Sequence, residues 1–111
     1  MELYIGGRAQ GKLAHAKEKH PDWVIWDAFH LFVREEMEKG AEPSEIWERV
    51  CERIDETPNM VIISDEVGNG IVPMDAKERR YREETGRLLC KIAARADGVE
   101  RITCGIPVKI K

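Results

Sequence analysis

A glycine-rich stretch near the start of the chain has the spacing of a phosphate-binding loop. Residues 6–13 read GGRAQGKL, and Gly6, Gly11 and Lys12 match the pattern G-x-x-x-x-G-K-[S/T]. Glycines let successive backbone N–H groups approach phosphate oxygens, and a following helix adds its N-terminal partial positive charge. An ordinary glycine turn before a helix is the alternative. We predict a nucleotide-binding segment, called the glycine loop below, that consists of Gly6, Gly7, Arg8, Ala9, Gln10, Gly11, Lys12 and Leu13.

Leu13 stands where the pattern has serine or threonine, whose hydroxyl normally coordinates magnesium. A leucine side chain has no oxygen, so it cannot be a metal ligand. One interpretation is that Mg²⁺, arriving with ATP or GTP, is held by the phosphates, water and an acid elsewhere in the chain. The other is that metal-dependent phosphoryl transfer is weak or absent.

Acidic residues follow two of the predicted strands. Asp27 ends an apolar run, where phosphate-loop proteins place a second, metal-coordinating acid, and we predict it as the metal ligand. An N-cap for the helix predicted over 28–40 is the alternative for Asp27, and both interpretations can hold together. Asp65 and Glu66 follow the strand 59–64, where a carboxylate pair could bind magnesium or act as a general base, or simply belong to a polar loop. Lys12 and Glu66 are the candidate catalytic residues.

Other reactive or charged residues have simpler interpretations. Gly68 and Gly70 indicate a backbone close to a ligand or with positive φ. The basic residues of the long helix predict a solvated face balanced by glutamates, with contact to a phosphate as the minority alternative: Arg79, Arg80, Arg82 and Arg87. The histidines lack metal-like spacing and are predicted to be surface or packing residues: His15, His20 and His30. The cysteines form no C-x-x-C pair and are predicted to be buried, reduced thiols: Cys51, Cys90 and Cys104.

Alternating strands and helices must position these residues. The pattern predicts the order β-α-β-α-α-β-α-β-β, over 2–5, 11–20, 22–27, 28–40, 43–57, 59–64 and 76–97, with two final strands in VERITCG and PVKI. Strands 22–27 and 59–64 are predicted to be buried, and the alternation in the last two predicts an edge or half-exposed position. Ser44 is the predicted N-cap of its helix, Gly40 a C-cap, and Gly98 the end of the long helix. This order predicts an α/β fold with a mostly parallel sheet, which brings the loops after the first three strands to one edge.

Composition limits the classes of function. A chain of 111 residues predicts a single domain over 1–111, with 42% hydrophobic and 35% charged residues as in soluble globular proteins. The net charge of −3 gives no basic signature for nucleic acid. The sequence has neither an apolar run long enough for a membrane span nor a secretion-signal pattern, so the predicted location is the cytoplasm.

Several longer stretches resemble a known family. VIISDEVGNGIVP, RRYREETGRLLCKIAARAD and CGIPVKIK look like the adenosylcobinamide kinase / adenosylcobinamide-phosphate guanylyltransferase family of cobalamin biosynthesis. YIGGRAQGK resembles that family's phosphate loop, and VIWDAFHLFV its V-D-x-L-T-L-W-L segment, which places Asp27 on its second-strand acid. The resemblance implies a P-loop NTPase-like (RecA-like) fold of reduced size and a homo-oligomer, commonly a trimer. It also implies phosphorylation of the corrinoid's aminopropanol arm, and guanylyl transfer through a histidine.

The chain departs from the family pattern at several points. Leu13 replaces the loop hydroxyl, Gln10 the loop serine, and Asp65 the asparagine before Glu66, while Leu89-Cys90 replaces N-Q in the long helix. A strand and a histidine-containing basic segment between the first helix and the V-D strand are missing, so we expect guanylyl transfer to be lost. We predict a cobalamin-biosynthesis-type nucleotide-binding protein, with a nucleotide and a corrinoid as its partners. The alternatives are a non-catalytic nucleotide-binding or assembly protein of the same fold, and a kinase for another small molecule.

Overall fold

The predicted order of strands and helices is confirmed in the computed structural model, which describes residues 1–67 and 75–111. The expectations for Gly68 and Gly70 therefore lie outside the described residues. The strands are β1 (Glu2–Gly6), β2 (Val24–Trp26), β3 (Met60–Asp65), β4 (Gly98–Thr103) and β5 (Ile106–Lys109). The helices are α1 (Lys12–Lys19), α2 (Phe29–Glu38), α3 (Pro43–Glu56) and α4 (Ala76–Arg95).

The strands form one mostly parallel sheet in the order β2-β3-β1-β4-β5. β1 lies between β3 and β4 and is parallel to both, β2 is parallel to β3, and β5 runs antiparallel to β4. The register of β1 against β3 pairs Ile5 with Ser64 and Gly6 with Asp65. The carboxyl ends of the two central strands therefore lie side by side, and the glycine loop begins next to Asp65.

The helices cover both faces of the sheet. Helices α2, α3 and α4 pack on one face around a core that contains Leu3, Phe29, Val50, Ile62 and Ile92. Helix α1 covers the other face, where the buried cluster consists of Tyr4, Ala16, Val61, Ile63 and Ile102. Strand β3 contributes alternate residues to both clusters, which confirms that it is covered on both sides and explains its unbroken apolar sequence.

Polar contacts hold α1 to the amino end of the sheet. Lys19 Nζ lies 2.6 Å from Glu100 Oε2 and 3.2 Å from Glu2 Oε1. His15 Nε2 lies 3.1 Å from Glu100, and His20 Nε2 lies 2.9 Å from Glu2. Burial raises the pKa of the Glu100 carboxyl, but the hydrogen bonds from Lys19 and His15 outweigh it, so the net pKa is below the ordinary value. Both carboxylates are thus ionised members of a partly buried network.

Several local predictions were wrong. Strand β2 is an edge strand rather than a buried one, because nothing pairs beyond it within the described sheet, and Val24 is 49% exposed. The N-cap of α3 is Glu42, which forms a capping box with Glu45 around Pro43, so Ser44 lies inside the helix.

The other corrections concern helix ends and thiols. Helix α4 ends at Arg95 with Ala96 as its C-cap, so that Gly98 begins β4 instead of ending the helix. The C-cap of α2 is Lys39, and Gly40 follows it with a φ of 87°. The cysteines are not all buried: Cys51 is partly exposed, and Cys90 and Cys104 are exposed. The two last strands do include an exposed edge, since every residue of β5 is exposed.

Candidate functional site

The glycine loop connects β1 to α1 with two residues in left-handed backbone conformation. Ala9 has a φ of 57° and Gly11, the N-cap of α1, a φ of 89°. Within the described residues, no side chain caps the N-terminus of α1. The first N–H groups of a helix have no intrahelical acceptor, so this end of α1 is suited to an anion.

The loop is fixed to the turn between β4 and β5. The backbone N–H of Cys104 donates to Gln10 Oε1 at 2.7 Å, and the N–H of Gly105 donates to the Gln10 carbonyl at 2.8 Å. Gln10 therefore ties the loop to residues more than ninety positions away, and the loop conformation depends on the packed C-terminal strands.

Lys12 lies beneath the loop with only 7% of its side chain exposed. Its ammonium group donates to the Gly7 carbonyl at 2.5 Å and lies 3.4 Å from the Gly6 carbonyl. Its third partner is Asp65, whose Oδ1 is 2.9 Å from Lys12 Nζ. The structure thus brings the loop lysine together with a carboxylate at the end of the adjacent strand.

Leu13 is 37% exposed on the first turn of α1, one residue after Lys12. The side chain that replaces the expected hydroxyl therefore lies at the surface near the N-terminus of the helix and is not part of the buried core.

Asp65 is held by His30 as well as by Lys12. His30 belongs to the first turn of α2, and its Nδ1 accepts the backbone N–H of Asp65 at 3.1 Å. Its Nε2 lies 3.4 Å from Asp65 Oδ2, and the imidazole is 14% exposed. Burial lowers the pKa of His30, and this effect exceeds the opposing influence of the Asp65 charge.

His30 was predicted only as a surface or packing residue, so its contact with Asp65 is one that the sequence reasoning missed. The available signal was its position three residues after Asp27. A residue in the first turn of the helix after β2 lies at the same carboxyl edge as the glycine loop.

Glu66 has a different orientation from Asp65. Its backbone N–H donates to the Gly6 carbonyl at 3.0 Å, while its Oε1 accepts from Arg101 Nη2 at 2.6 Å and Nε at 2.9 Å. The structure therefore places Glu66 at the carboxyl edge, but it is Asp65 whose carboxylate contacts Lys12. Arg101, on β4, was not singled out from the sequence.

Asp27 lies at the end of the edge strand, and its Oδ1 accepts the N–H of Ala28 at 2.8 Å. The N-cap of α2 is Ala28, with a φ of 53° and no side-chain cap bond, so Asp27 is not the cap. Residues 1–67 and 75–111 contain no group of three or more His, Cys, Asp or Glu side chains placed to hold a metal ion. The assignment of Asp27 as a metal ligand stays a prediction.

A cavity of about 440 Å³ opens beside these residues, between α2, α4 and the end of β3. Residues that line it include Arg8, His30, Asp65, Glu66, Glu78 and Arg82. Two other arginines of α4 have glutamate partners: Arg87 pairs with Glu84 at 2.5 Å, and Arg80 with Glu42 at 3.6 Å. These pairs agree with a solvated, charge-balanced face, while Arg82 is the member of the cluster that lines this cavity.

The sequence profile of one family matches nearly the whole chain. The family is described as cobinamide kinase / cobinamide phosphate guanyltransferase, and the match covers residues 6–110. The chain belongs to this family. Its five-stranded, mostly parallel sheet with flanking helices is accordingly the P-loop NTPase-like fold of the cobinamide kinase family.

Curated relatives match over part of their length. The bifunctional adenosylcobalamin biosynthesis protein CobU of Salmonella typhimurium strain LT2 is 44% identical over 52 residues, which are 47% of this chain and 29% of CobU. CobU of Escherichia coli K12 is 42% identical over 52 residues, again 47% of this chain and 29% of the relative. The bifunctional protein CobP of Pseudomonas aeruginosa PAO1 is 37% identical over 65 residues, 58% of this chain and 38% of CobP. The matched stretches thus span about a third of these cobinamide kinase family proteins.

Among the described residues, no helix combines the length and the apolar character needed to cross a bilayer.

Proposed function

We propose that this chain binds a nucleoside triphosphate at the glycine loop, with Lys12 on the phosphates. One observation carries the proposal: a nearly buried lysine lies under a glycine loop at an uncapped helix N-terminus. Backbone N–H groups there would bind phosphate oxygens, and the ammonium of Lys12 would exchange its loop carbonyls for the terminal phosphates. Membership of the cobinamide kinase family supports a nucleotide as the ligand.

Magnesium would be held mainly by the nucleotide. Mg²⁺ usually keeps several waters and takes one or two carboxylates together with substrate phosphates, so a complete cage of protein ligands is not required. Asp65, at the end of β3, has its Oδ1 2.9 Å from Lys12 Nζ, and Asp27 follows β2, the parallel strand that pairs with β3. These two residues would supply the carboxylate oxygens, and Leu13 would supply none.

For the reaction, we infer phosphoryl transfer to a hydroxyl of a corrinoid, with Glu66 as the candidate base. The printed names of the family and its relatives, which refer to cobinamide and adenosylcobalamin, support this acceptor. Guanylyl transfer stays outside the proposed activity. Each histidine of the chain has a ring nitrogen near a carboxylate: His15 near Glu100, His20 near Glu2 and His30 near Asp65. A single-domain homo-oligomer, a trimer by family resemblance, stays a prediction.

A non-catalytic nucleotide-binding protein is the second candidate. The exposed Leu13 favours it, because the position that normally supplies a metal ligand carries a side chain without oxygen. Both candidates share the phosphate site and differ only in turnover.

Calorimetric titration with ATP and with GTP, each with and without Mg²⁺, tests the shared proposal. Lys12→Ala should weaken binding by about 10- to 100-fold, since a hydrogen bond to a charged group contributes about 1.5–3 kcal/mol. Lys17→Ala is the matched control, because Lys17 is an exposed lysine on the same helix. Absence of binding at millimolar nucleotide, or equal losses in the two variants, would contradict the proposal.

Phosphoryl transfer to cobinamide then separates the two candidates. Leu13→Ser restores an oxygen at the helix N-terminus, so an enzyme should turn over faster with Mg²⁺ in this variant. A chain that binds nucleotide but transfers no phosphoryl group, in either the wild type or Leu13→Ser, is a binding protein. Equal turnover in both would show that the missing hydroxyl does not limit the reaction.

A further inference from the structure

The turn between β4 and β5 has two backbone donors that its own hairpin does not use. Cys104 and Gly105 form this turn, with φ values of 51° and 76°. Positive φ at both central residues is typical of the type I′ turn, which joins two antiparallel strands through two residues. The flanking residues Thr103 and Ile106 pair across the hairpin, so the N–H groups of Cys104 and Gly105 must find their acceptors elsewhere.

Gln10 accepts from both of these donors. Its Oε1 lies 2.7 Å from the backbone nitrogen of Cys104, and its backbone carbonyl oxygen lies 2.8 Å from that of Gly105. The other polar atom of its side chain, Nε2, donates to the Arg8 carbonyl at 3.4 Å, within the glycine loop. One half-buried side chain therefore joins the loop both to itself and to the turn.

The backbone on both sides of this connection is strained. Ala9, the residue before Gln10, has a φ of 57°, and Cys104 has a φ of 51°. A non-glycine residue in the left-handed region costs free energy, and the conformation persists only where surrounding contacts hold it. The hydrogen bonds of Gln10 are contacts of this kind, because they join the chain next to Ala9 to the chain at Cys104.

The connection also sets the direction of a peptide group in the glycine loop. In a trans peptide, the C=O and the N–H that follows it point in opposite directions. Because the Gln10 carbonyl is directed at Gly105, the N–H of Gly11 is directed away from the turn. Gly11 is the N-cap of α1, so this N–H belongs to the helix end that we assign to the phosphates.

We propose that Gln10 is a positioning residue whose side chain holds the glycine loop in its phosphate-binding conformation by fastening it to the β4–β5 turn. This role rests on the nucleotide binding proposed above. A loop that is already ordered loses less conformational freedom when it binds, so the connection raises nucleotide affinity although the Gln10 side chain is bonded to protein atoms. It also gives a role to a residue at which the chain departs from the serine of the family's loop.

Amide hydrogen exchange in the unliganded protein tests the connection itself. Gln10→Met keeps the length of the side chain without its amide, so the Cys104 amide should exchange at least about fivefold faster in this variant. The Gly105 amide should change less, since its acceptor is a backbone carbonyl, and the Ile62 amide in β3 should not change if the fold is intact. Gln10→Glu keeps an acceptor oxygen and should retain the slow exchange of Cys104. Equal exchange of Cys104 in the wild type and Gln10→Met would overturn the proposal.

Nucleotide affinity tests whether the connection positions the loop. Gln10→Met should weaken binding of ATP and of GTP by the same factor, about 3- to 10-fold, because the loss acts on the phosphate site and not on the base. Lys17→Ala, on the exposed side of α1, is the control and should bind as the wild type does. By thermodynamic linkage, saturating ATP should slow exchange of the Cys104 amide in the wild type and have no such effect in Gln10→Met.

The outcomes separate this role from the proposed function. A merely structural role would give faster exchange or a lower Tm in Gln10→Met with wild-type affinity, and that result contradicts the role of Gln10 while nucleotide binding stands. A wild type that binds neither ATP nor GTP removes the proposed function and the positioning role together, whatever the exchange of Cys104.

Discussion

Gly6 is the residue whose replacement the structure predicts most sharply. A Cβ atom added at Gly6 would lie 2.4 Å from the carbonyl oxygen of Ile102 and 3.4 Å from its carbonyl carbon. Both atoms belong to the backbone of β4, which pairs directly with β1, so neither can rotate away. At Gly7, by contrast, a Cβ would meet only the flexible Gln10 side chain, at 3.6 Å. The backbone of β4 therefore leaves no space for a side chain at Gly6, whereas a methyl group fits at Gly7.

The size of the effect follows from this contact. Forcing an extra carbon into a packed region costs about 1–3 kcal/mol, and 2.4 Å is far inside van der Waals distance, so the upper part of that range applies. Replacing glycine by alanine also removes freedom from the unfolded chain, which offsets about 0.4–1 kcal/mol. The net expectation for Gly6→Ala is a loss of about 2 kcal/mol in the free energy of unfolding, or roughly 10 °C in Tm.

Thermal and urea denaturation of Gly6→Ala and Gly7→Ala measure this difference. Gly7→Ala should be as stable as the wild type or more stable by up to about 1 kcal/mol, because it keeps the entropic gain without the clash. Equal stability of the two variants would refute the reasoning. The expected result would also show that the first glycine of the loop is required by the sheet, whether or not a phosphate binds.

Three further predictions concern the Glu100 carboxylate, the N-cap of α3 and the cysteines. Glu100→Gln should lose about 1–2 kcal/mol of stability at neutral pH. The pKa of Glu100 is lowered in the folded state, so its contribution to the free energy of unfolding is fully present above a pH of about 4.5 and is lost as the pH falls through the folded pKa. The melting temperatures of Glu100→Gln and the wild type should therefore converge in acid. Glu42→Ala should destabilise the protein by about 0.5–1 kcal/mol in urea denaturation, and Ser44→Ala by clearly less, since the cap is Glu42; the reverse order would contradict the capping box. In the native protein, a thiol reagent should modify Cys90 and Cys104 faster than the partly exposed Cys51, and uniformly slow reaction of all three would contradict their exposure.

Most of the fold could be predicted because its signals are local. Apolar runs, glycine turns and prolines such as Pro21 and Pro43 mark where strands and helices begin and end, and each signal lies within a few residues of the element that it defines. The predicted order of strands and helices was confirmed over residues 1–67 and 75–111. Errors at element ends include the N-cap of α3, where Ser44 is the residue type preferred at a cap but the backbone path makes Glu42 the cap.

Part of the candidate site could also be predicted. The spacing of Gly6, Gly11 and Lys12 identified the loop, and the parallel alternation of strands and helices predicted that the loops after the first three strands would share one edge. The structure agrees with that convergence through the contact between Lys12 and Asp65, and the family match agrees with the resemblance.

The sequence by itself determined which segments form strands, helices and the glycine loop, since these depend on interactions between near neighbours in the chain. Only the tertiary structure decided that Asp65 rather than Glu66 contacts Lys12, that His30 accepts the backbone N–H of Asp65, and that β2 is an edge strand. Each of those contacts joins residues more than thirty positions apart, and their partners are set by strand order and register. A one-residue difference in register would turn Asp65 away from Lys12, and no local pattern in the sequence records that choice.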